Sequence, residues 1–237
     1  MQSFLGDREI NEDYIASAEN GTGMDFVLCD GLGGHGKGEV ASEMAALQIL
    51  QELKAHPQGG EQSIADAFEA AQKKLLAEQA RQNMRNAMKT TAVVLRIGEK
   101  EAMWGHIGDS RLYLFYRNKL VLRTLDHSVP QMLVLAGDIK EMQIRNHPDR
   151  NRLLRVMGAE WSANRYEIAA PRDRSLCQAF LLCSDGFWEC ITEKEMVKCL
   201  KKSSSAADWM ERMLEIVRKN GASQEMDNHS AITLLLE

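Results

Sequence analysis

Apolar residues recur along this chain in two different rhythms. Short runs rich in Val, Ile, Leu, Phe and Thr occupy positions 25–29, 90–97, 102–107, 112–116, 179–183 and 231–236, and they end in Gly, Asp or Asn. Runs of this length and composition predict strands. Between them, apolar residues fall at helical spacing, as with Ala41, Met44, Ala45 and Ile49. Long helices are predicted over about 38–54 and 61–85, a second pair over 193–202 and 206–219, and shorter helical pieces between 129 and 157. The runs at 90–97, 102–107 and 112–116 are joined by short polar turns, which favours an antiparallel meander over parallel crossovers. Blocks of strands separated from blocks of helices predict an α+β fold, two packed antiparallel β-sheets flanked by helices in an α-β-β-α sandwich. With no low-complexity linker and no internal repeat, residues 1–237 read as a single domain.

Composition narrows the function classes. Hydrophobic residues make up 44% and charged residues 27%, a globular and not a disordered balance. The net charge of -5 argues against a nucleic-acid partner. No basic segment followed by an apolar run opens the chain, and no apolar stretch reaches 18 residues, so neither a signal peptide nor membrane insertion is expected. The five cysteines, Cys29, Cys177, Cys183, Cys190 and Cys199, form no CxxC pair and no disulfide spacing. They read as reduced, mostly buried thiols in a cytoplasmic protein.

Acidic residues stand where strands end or turns begin. Asp30 follows Phe26-Val27-Leu28-Cys29, Asp185 follows Phe180-Leu181-Leu182-Cys183-Ser184, and each precedes a glycine. Asp227-Asn228 precedes the last strand, Asp109 sits in Gly108-Asp109-Ser110-Arg111, and Glu12-Asp13 lies near the start. Any one of these reads most simply as a turn residue or helix cap. Five such positions together favour an oxygen-only site for a hard cation, Mg²⁺ or Mn²⁺.

At these residues the sequence resembles the protein phosphatase 2C family, the metal-dependent serine/threonine phosphatases, in its bacterial form. The likeness runs through Arg8-Glu9-Ile10-Asn11-Glu12-Asp13, Asp30-Gly31-Leu32-Gly33-Gly34-His35, Gly38-Glu39, Ala41-Ser42, Thr90-Thr91 and Gly108-Asp109-Ser110-Arg111. It continues through Asp126-His127-Ser128, Ala136-Gly137-Asp138-Ile139, Asn146-His147-Pro148, the stretch 151–158, Ser184-Asp185-Gly186 and Asp227-Asn228. Each motif alone is weak; their order and spacing are specific. The resemblance implies a β-sandwich with two or three Mn²⁺ or Mg²⁺ ions at one end. Asp30 would bridge two ions, with the Gly31 carbonyl, Asp185 and Asp227 completing the set. Asp13 with Glu12 would ligate directly or through water, and Asp109 with Asp185 would hold a third ion. Arg8 would grip the substrate phosphate with two parallel hydrogen bonds. The implied reaction is hydrolysis of phosphoserine and phosphothreonine in proteins by a metal-activated water. The implied partners are phosphoprotein substrates, a serine/threonine kinase or its targets. The stretch 129–158 resembles the family's variable flap, where substrate choice would lie.

Some positions depart from the pattern. Leu32 stands where many animal members carry a histidine that serves as an acid, and Leu cannot donate a proton. His35 is the nearest replacement; it reads equally as the residue that orders the Gly33-Gly34 turn. Lys89 replaces a glycine before Thr90-Thr91. His106 and His127 read as structural, and the four tryptophans as packing residues.

Three other readings compete. Residues 31–37 fit a phosphate-binding G-x-x-x-x-G-K loop, but Gly38 replaces the required hydroxyl residue. A cysteine nucleophile at Cys29 would need an arginine six positions on, where His35 stands. A catalytically inactive phosphoprotein-binding module of the same fold is the remaining alternative.

Overall fold

The computed structural model describes residues 1–237 apart from residues 58, 162–164, 224 and 237 and the side chain of His35. Two antiparallel sheets form the body. One is ordered β1 (Gln2–Phe4), β11 (His229–Leu235), β10 (Ala179–Cys183), β6 (Arg111–Tyr116) and β7 (Lys119–Arg123). The other is ordered β2 (Asp13–Glu19), β3 (Met24–Asp30), β4 (Ala92–Ile97), β5 (Glu101–Ile107) and β8 (Glu167–Ile168), with β9 (Arg172–Asp173) also on β5.

The central strands are apolar without alternation because both of their faces are covered. Leu28, Val93, Leu95, Leu112, Phe180, Leu182 and Ile232 pack between the sheets. Their neighbours Val27, Cys29 and Val94 turn outward and pack with α1 (Gly38–Ala55) and α2 (Glu61–Arg81) through Ile49, Leu53 and Phe68. On the opposite side, Leu181, Cys183 and Phe115 pack with α5 (Glu193–Leu200) and α6 (Ala206–Gly221) through Trp209 and Met213. The result is the expected α-β-β-α sandwich. Among the described residues no helix is long and apolar enough to cross a membrane.

Three expectations change. The predicted meander is split: β4 pairs β5, but β6 pairs β10 in the other sheet. Gly108 makes that crossing at φ +102°, where an added Cβ would also strike Thr91. The second helix ends at Arg81, not at 85, because Asn83, Asn86 and Met88 take left-handed backbone that no helix can continue. Thr90 and Thr91 precede β4 and do not belong to it; Thr90 makes isolated bridges to Gly31 and Met157. The helical pieces between 129 and 157 are α3 (Val129–Ala136), capped by the Ser128 side chain, and a 3-10 turn at Glu141–Asn146. A single helical turn, α4 (Asp185–Trp188), follows β10.

Candidate active site

Antiparallel pairing gathers the acidic residues at one end of the sandwich. The β2–β3 ladder sets Asp13 opposite Asp30. β10 pairs antiparallel with β11, Cys183 opposite Ala231, so Asp185 just beyond one strand lies beside Asp227 just before the other. The Gly108 crossing between sheets brings in Asp109. Asp30, Asp109, Asp185, Asp227 and Glu12 line one cavity of about 740 Å³, together with Arg8, Gly31 and Asn228.

Local contacts fix these groups. Thr91 Oγ1 accepts the Asp30 amide at 3.0 Å, and the Thr91 amide and Thr90 hydroxyl both donate to the Asp30 carbonyl. The Trp188 indole donates to the Asp109 carbonyl at 3.0 Å. The Glu12 amide donates to Asn228 Oδ1 at 2.8 Å. A Cβ at Gly33 or Gly38 would collide with the Glu12 carboxylate, so these two glycines open the space it fills.

Asp13 does not line the cavity but lies buried in contact with the opposite sheet. Its Oδ2 accepts from the Ser184 hydroxyl at 2.7 Å, whereas its buried Oδ1 has no partner among the described residues.

The electrostatics are adverse for a bare carboxylate cluster. Burial pushes Asp13 up to about 7, with Asp185 and Asp227 adding to the rise. Burial and then Asp227 push Asp185 up to about 6. Burial and then Asp185 hold both Asp30 and Asp109 well above the ordinary carboxylate range. The ring is open: among the described residues, no three of these carboxylates bring oxygens within 4.8 Å of one another. Mutual repulsion accounts for that spread. The donor set is all hard oxygen, carries a surplus of negative charge and includes an orphaned Oδ1. It fits Mg²⁺ or Mn²⁺, and Asp30, Asp185, Asp227, Glu12, Asp109, Asp13 and the Gly31 carbonyl are the groups available to hold them.

Arg8 lines the same cavity. Its Nε and Nη2 grip Asp227 Oδ1 and Oδ2 at 2.9 and 2.8 Å, the bidentate geometry expected of it, here directed at a carboxylate. The expected catalytic role of His35 falls on a side chain outside the described residues.

Sequence reasoning missed several groups. Trp161 was read as packing, yet it lines the cavity with Arg155 and Arg165. Glu189, four residues after Asp185 on the same helical face, pairs with Arg150 at 2.9 Å, and burial followed by Asp185 pushes it up to about 7. That i,i+4 spacing from an expected ligand was a legible signal.

The rivals lose their geometry. Lys37 caps α1 from left-handed backbone and hydrogen-bonds Gln82, so it does not cradle a phosphate. Cys29 is wholly buried, and burial pushes its thiol far up, the reverse of an activated nucleophile. Cys29→Ala is expected to keep metal-dependent phosphatase activity within about twofold of wild type, since it removes only core packing. Loss of turnover in a variant that still folds, measured beside its circular dichroism, would reinstate the thiol.

A sequence model of protein phosphatase 2C matches residues 2–229. The chain belongs to the protein phosphatase 2C family. A relative in Listeria welshimeri, "Serine/threonine phosphatase stp", is 32% identical over 214 residues, covering 85% of this chain and 81% of that one. The solved serine/threonine phosphatase Stp1 from Staphylococcus aureus is 27% identical with a TM-score of 0.87, covering 100% of this chain and 93% of that one. A solved catalytic domain of the phosphatase PstP, in complex with two manganese ions, is 24% identical with a TM-score of 0.82, covering 100% and 96%. At that identity the last likeness speaks for the fold. Membership of the protein phosphatase 2C family accounts for a sandwich whose acidic residues sit at one end.

Proposed function

We propose that this chain is a metal-dependent serine/threonine protein phosphatase that removes phosphate from phosphoserine and phosphothreonine in proteins. The observation that carries the reading is the ring of carboxylates delivered from separate strand ends and turns to one cavity, with Asp30, Asp109 and Asp185 held above their ordinary pKa by burial and by one another. Such a ring repels a phosphate dianion unless cations lie between them. Bound Mn²⁺ or Mg²⁺ supplies the compensating charge, Lewis acidity and an acidified water for in-line attack.

The chain's own groups do the rest. Asp30, Asp185 and Asp227 with the Gly31 carbonyl would hold two ions, and Glu12 and Asp13 would back them. Asp109 with Asp185 offers room for a third. Arg8 stands in the cavity wall with a fork shaped for phosphate oxygens, so a bound phosphate competes with Asp227 for it. Arg155, Arg165 and Lys89 add positive charge to the wall, which draws in an anionic substrate. Residues 129–158 are read as the flap and as the seat of substrate choice; Asn151 and residues 153–156 lining the cavity support that reading. The natural substrates are read as phosphoproteins, a serine/threonine kinase or its targets. Cys29, Cys177, Cys183 and Cys199 are buried free thiols, in keeping with a reducing cytoplasm. An inactive binding module has less support, because the whole acidic set is kept around the cavity.

The test is release of inorganic phosphate from a phosphothreonine peptide by the purified chain. Turnover is expected with Mn²⁺ or Mg²⁺ and none after EDTA. Metal binding by calorimetry without turnover would favour the inactive module.

A further inference from the structure

We infer that His127 is a positioning residue for Asp109, clamping the Gly108-Asp109 turn. The inference rests on the phosphatase reading, in which Asp109 is a cavity carboxylate. The clamp is reciprocal. The His127 amide donates to the Gly108 carbonyl at 2.8 Å, and the Gly108 amide donates to His127 Nδ1 at 3.2 Å. Together with the Trp188 indole on the Asp109 carbonyl, this holds the turn from two sides.

The clamp fixes the tautomer of the ring. A nitrogen that accepts from an amide carries no hydrogen, so neutral His127 bears its proton on Nε2. Nε2 is buried and has no hydrogen-bond partner among the described residues; Glu167 Oε1 lies 3.3 Å away without the alignment of a hydrogen bond. Glu167 in turn lies 3.7 Å from Arg155, which lines the cavity.

A competing use fails on the same ground. His106, His127 and Glu167 bring potential ligand atoms within 4.8 Å, which suggests a cation site. A cation on Nε2 would move the proton to Nδ1, where it would face the Gly108 amide, donor against donor. His106, stacked on His127 at 4.7 Å between centroids, already commits its Nε2–H to the Leu125 carbonyl at 2.8 Å. Burial and the neighbouring His106 also push His127 down to about 3, so the ring stays neutral at working pH.

Three variants separate the two arms. H127N keeps an acceptor where Nδ1 stands, H127Q keeps a polar group only where Nε2 stands, and H127F keeps neither. Mn²⁺ titrations of turnover and of binding, KM for a phosphothreonine peptide, and the Gly108 amide resonance are measured on each. H127F and H127Q are expected to raise the half-saturating Mn²⁺ concentration about tenfold and to shift the Gly108 amide, with KM moved by less than about twofold. H127N is expected to stay near wild type in all of these. Equal behaviour of H127N, H127Q and H127F would overturn the inference, as would wild-type Mn²⁺ dependence in H127F. If H127F does not fold, H127N against H127Q decides. A wild-type protein without Mn²⁺-dependent turnover sinks the phosphatase reading, while the Gly108 resonance still decides the clamp.

Discussion

Asp185→Asn is expected to lower metal-dependent turnover at least about a thousandfold, roughly 4 kcal/mol of transition-state stabilisation, and to raise the melting temperature of the protein in EDTA. The two halves come from one cause. Asp185 lines the cavity and adds to the raised pKa values of Asp13, Asp30, Asp109 and Glu189. Without a cation, it is a buried like charge among like charges, and its neutral isostere relieves them. With a cation, its loss removes a ligand. The pH dependence follows. Asp13 and Asp185 titrate at about 7 and about 6 in the fold, above the ordinary 3.8. Over that interval the native state keeps protons that the unfolded chain releases. Stability of the metal-free protein is therefore lost as pH rises from about 4 to about 7, and Mn²⁺ restores it most at the upper end. Asp185→Asn flattens that slope. Thermal unfolding in EDTA across this range, beside phosphate release in Mn²⁺, reads both halves. A variant less stable than wild type in EDTA at pH 7.5 would show that the carboxylates do not repel one another as described.

The legible parts of the sequence were those set by local chemistry. Continuous apolar runs announced β3, β4, β5, β6, β10 and β11, because strands covered on both faces need no polar positions. β2, Asp-Tyr-Ile-Ala-Ser-Ala-Glu, was not legible: it is a half-buried edge strand with small residues and no clear alternation. β8 and β9, two residues each, carry no pattern at all. Asp30, Asp185 and Asp227 were legible from apolar runs and glycine turns. Asp109 was legible from its glycine turn and motif, but the change of sheet at Gly108 that brings it to them was not, because a short turn does not reveal it. Arg155, Arg165 and Trp161 reach the cavity from the irregular stretch before β8, where neither period nor motif marks a side chain's direction.

The largest stability effect is expected far from the cavity, at Arg96. Its guanidinium is fully satisfied inside the protein. Nε and Nη2 meet the two oxygens of Asp25 at 3.0 and 3.3 Å, Nη2 also donates to the Leu53 carbonyl, and Nη1 donates to the His56 and Gly59 carbonyls and to Ser63 Oγ. Asn20 supplies a further donor to Asp25 Oδ1. One side chain thus ties β3 and β4 to the C-terminal end of α1, whose free carbonyls favour a cation, and to the start of α2. Arg96→Met leaves Asp25, 1% exposed, with Asn20 as its remaining side-chain partner and removes one donor each from the Leu53, His56 and Gly59 carbonyls, at a cost of about 3–5 kcal/mol. For a chain of this size that lowers the melting temperature by roughly 6–20 °C. Adding Asp25→Leu removes the orphaned charge and is expected to recover part of the loss, since paired ions and apolar residues of similar volume are often near-equivalent inside a protein. Asp25 is five residues from Asp30 along β3, about 17 Å at the usual strand rise. Activity of the folded fraction at low temperature should accordingly stay within about twofold of wild type. Urea unfolding of the single and double variants, read with phosphate release at 15 °C, checks the argument. A single variant as stable as wild type would show that the pair and its carbonyl contacts do not hold the helical layer to the sheet.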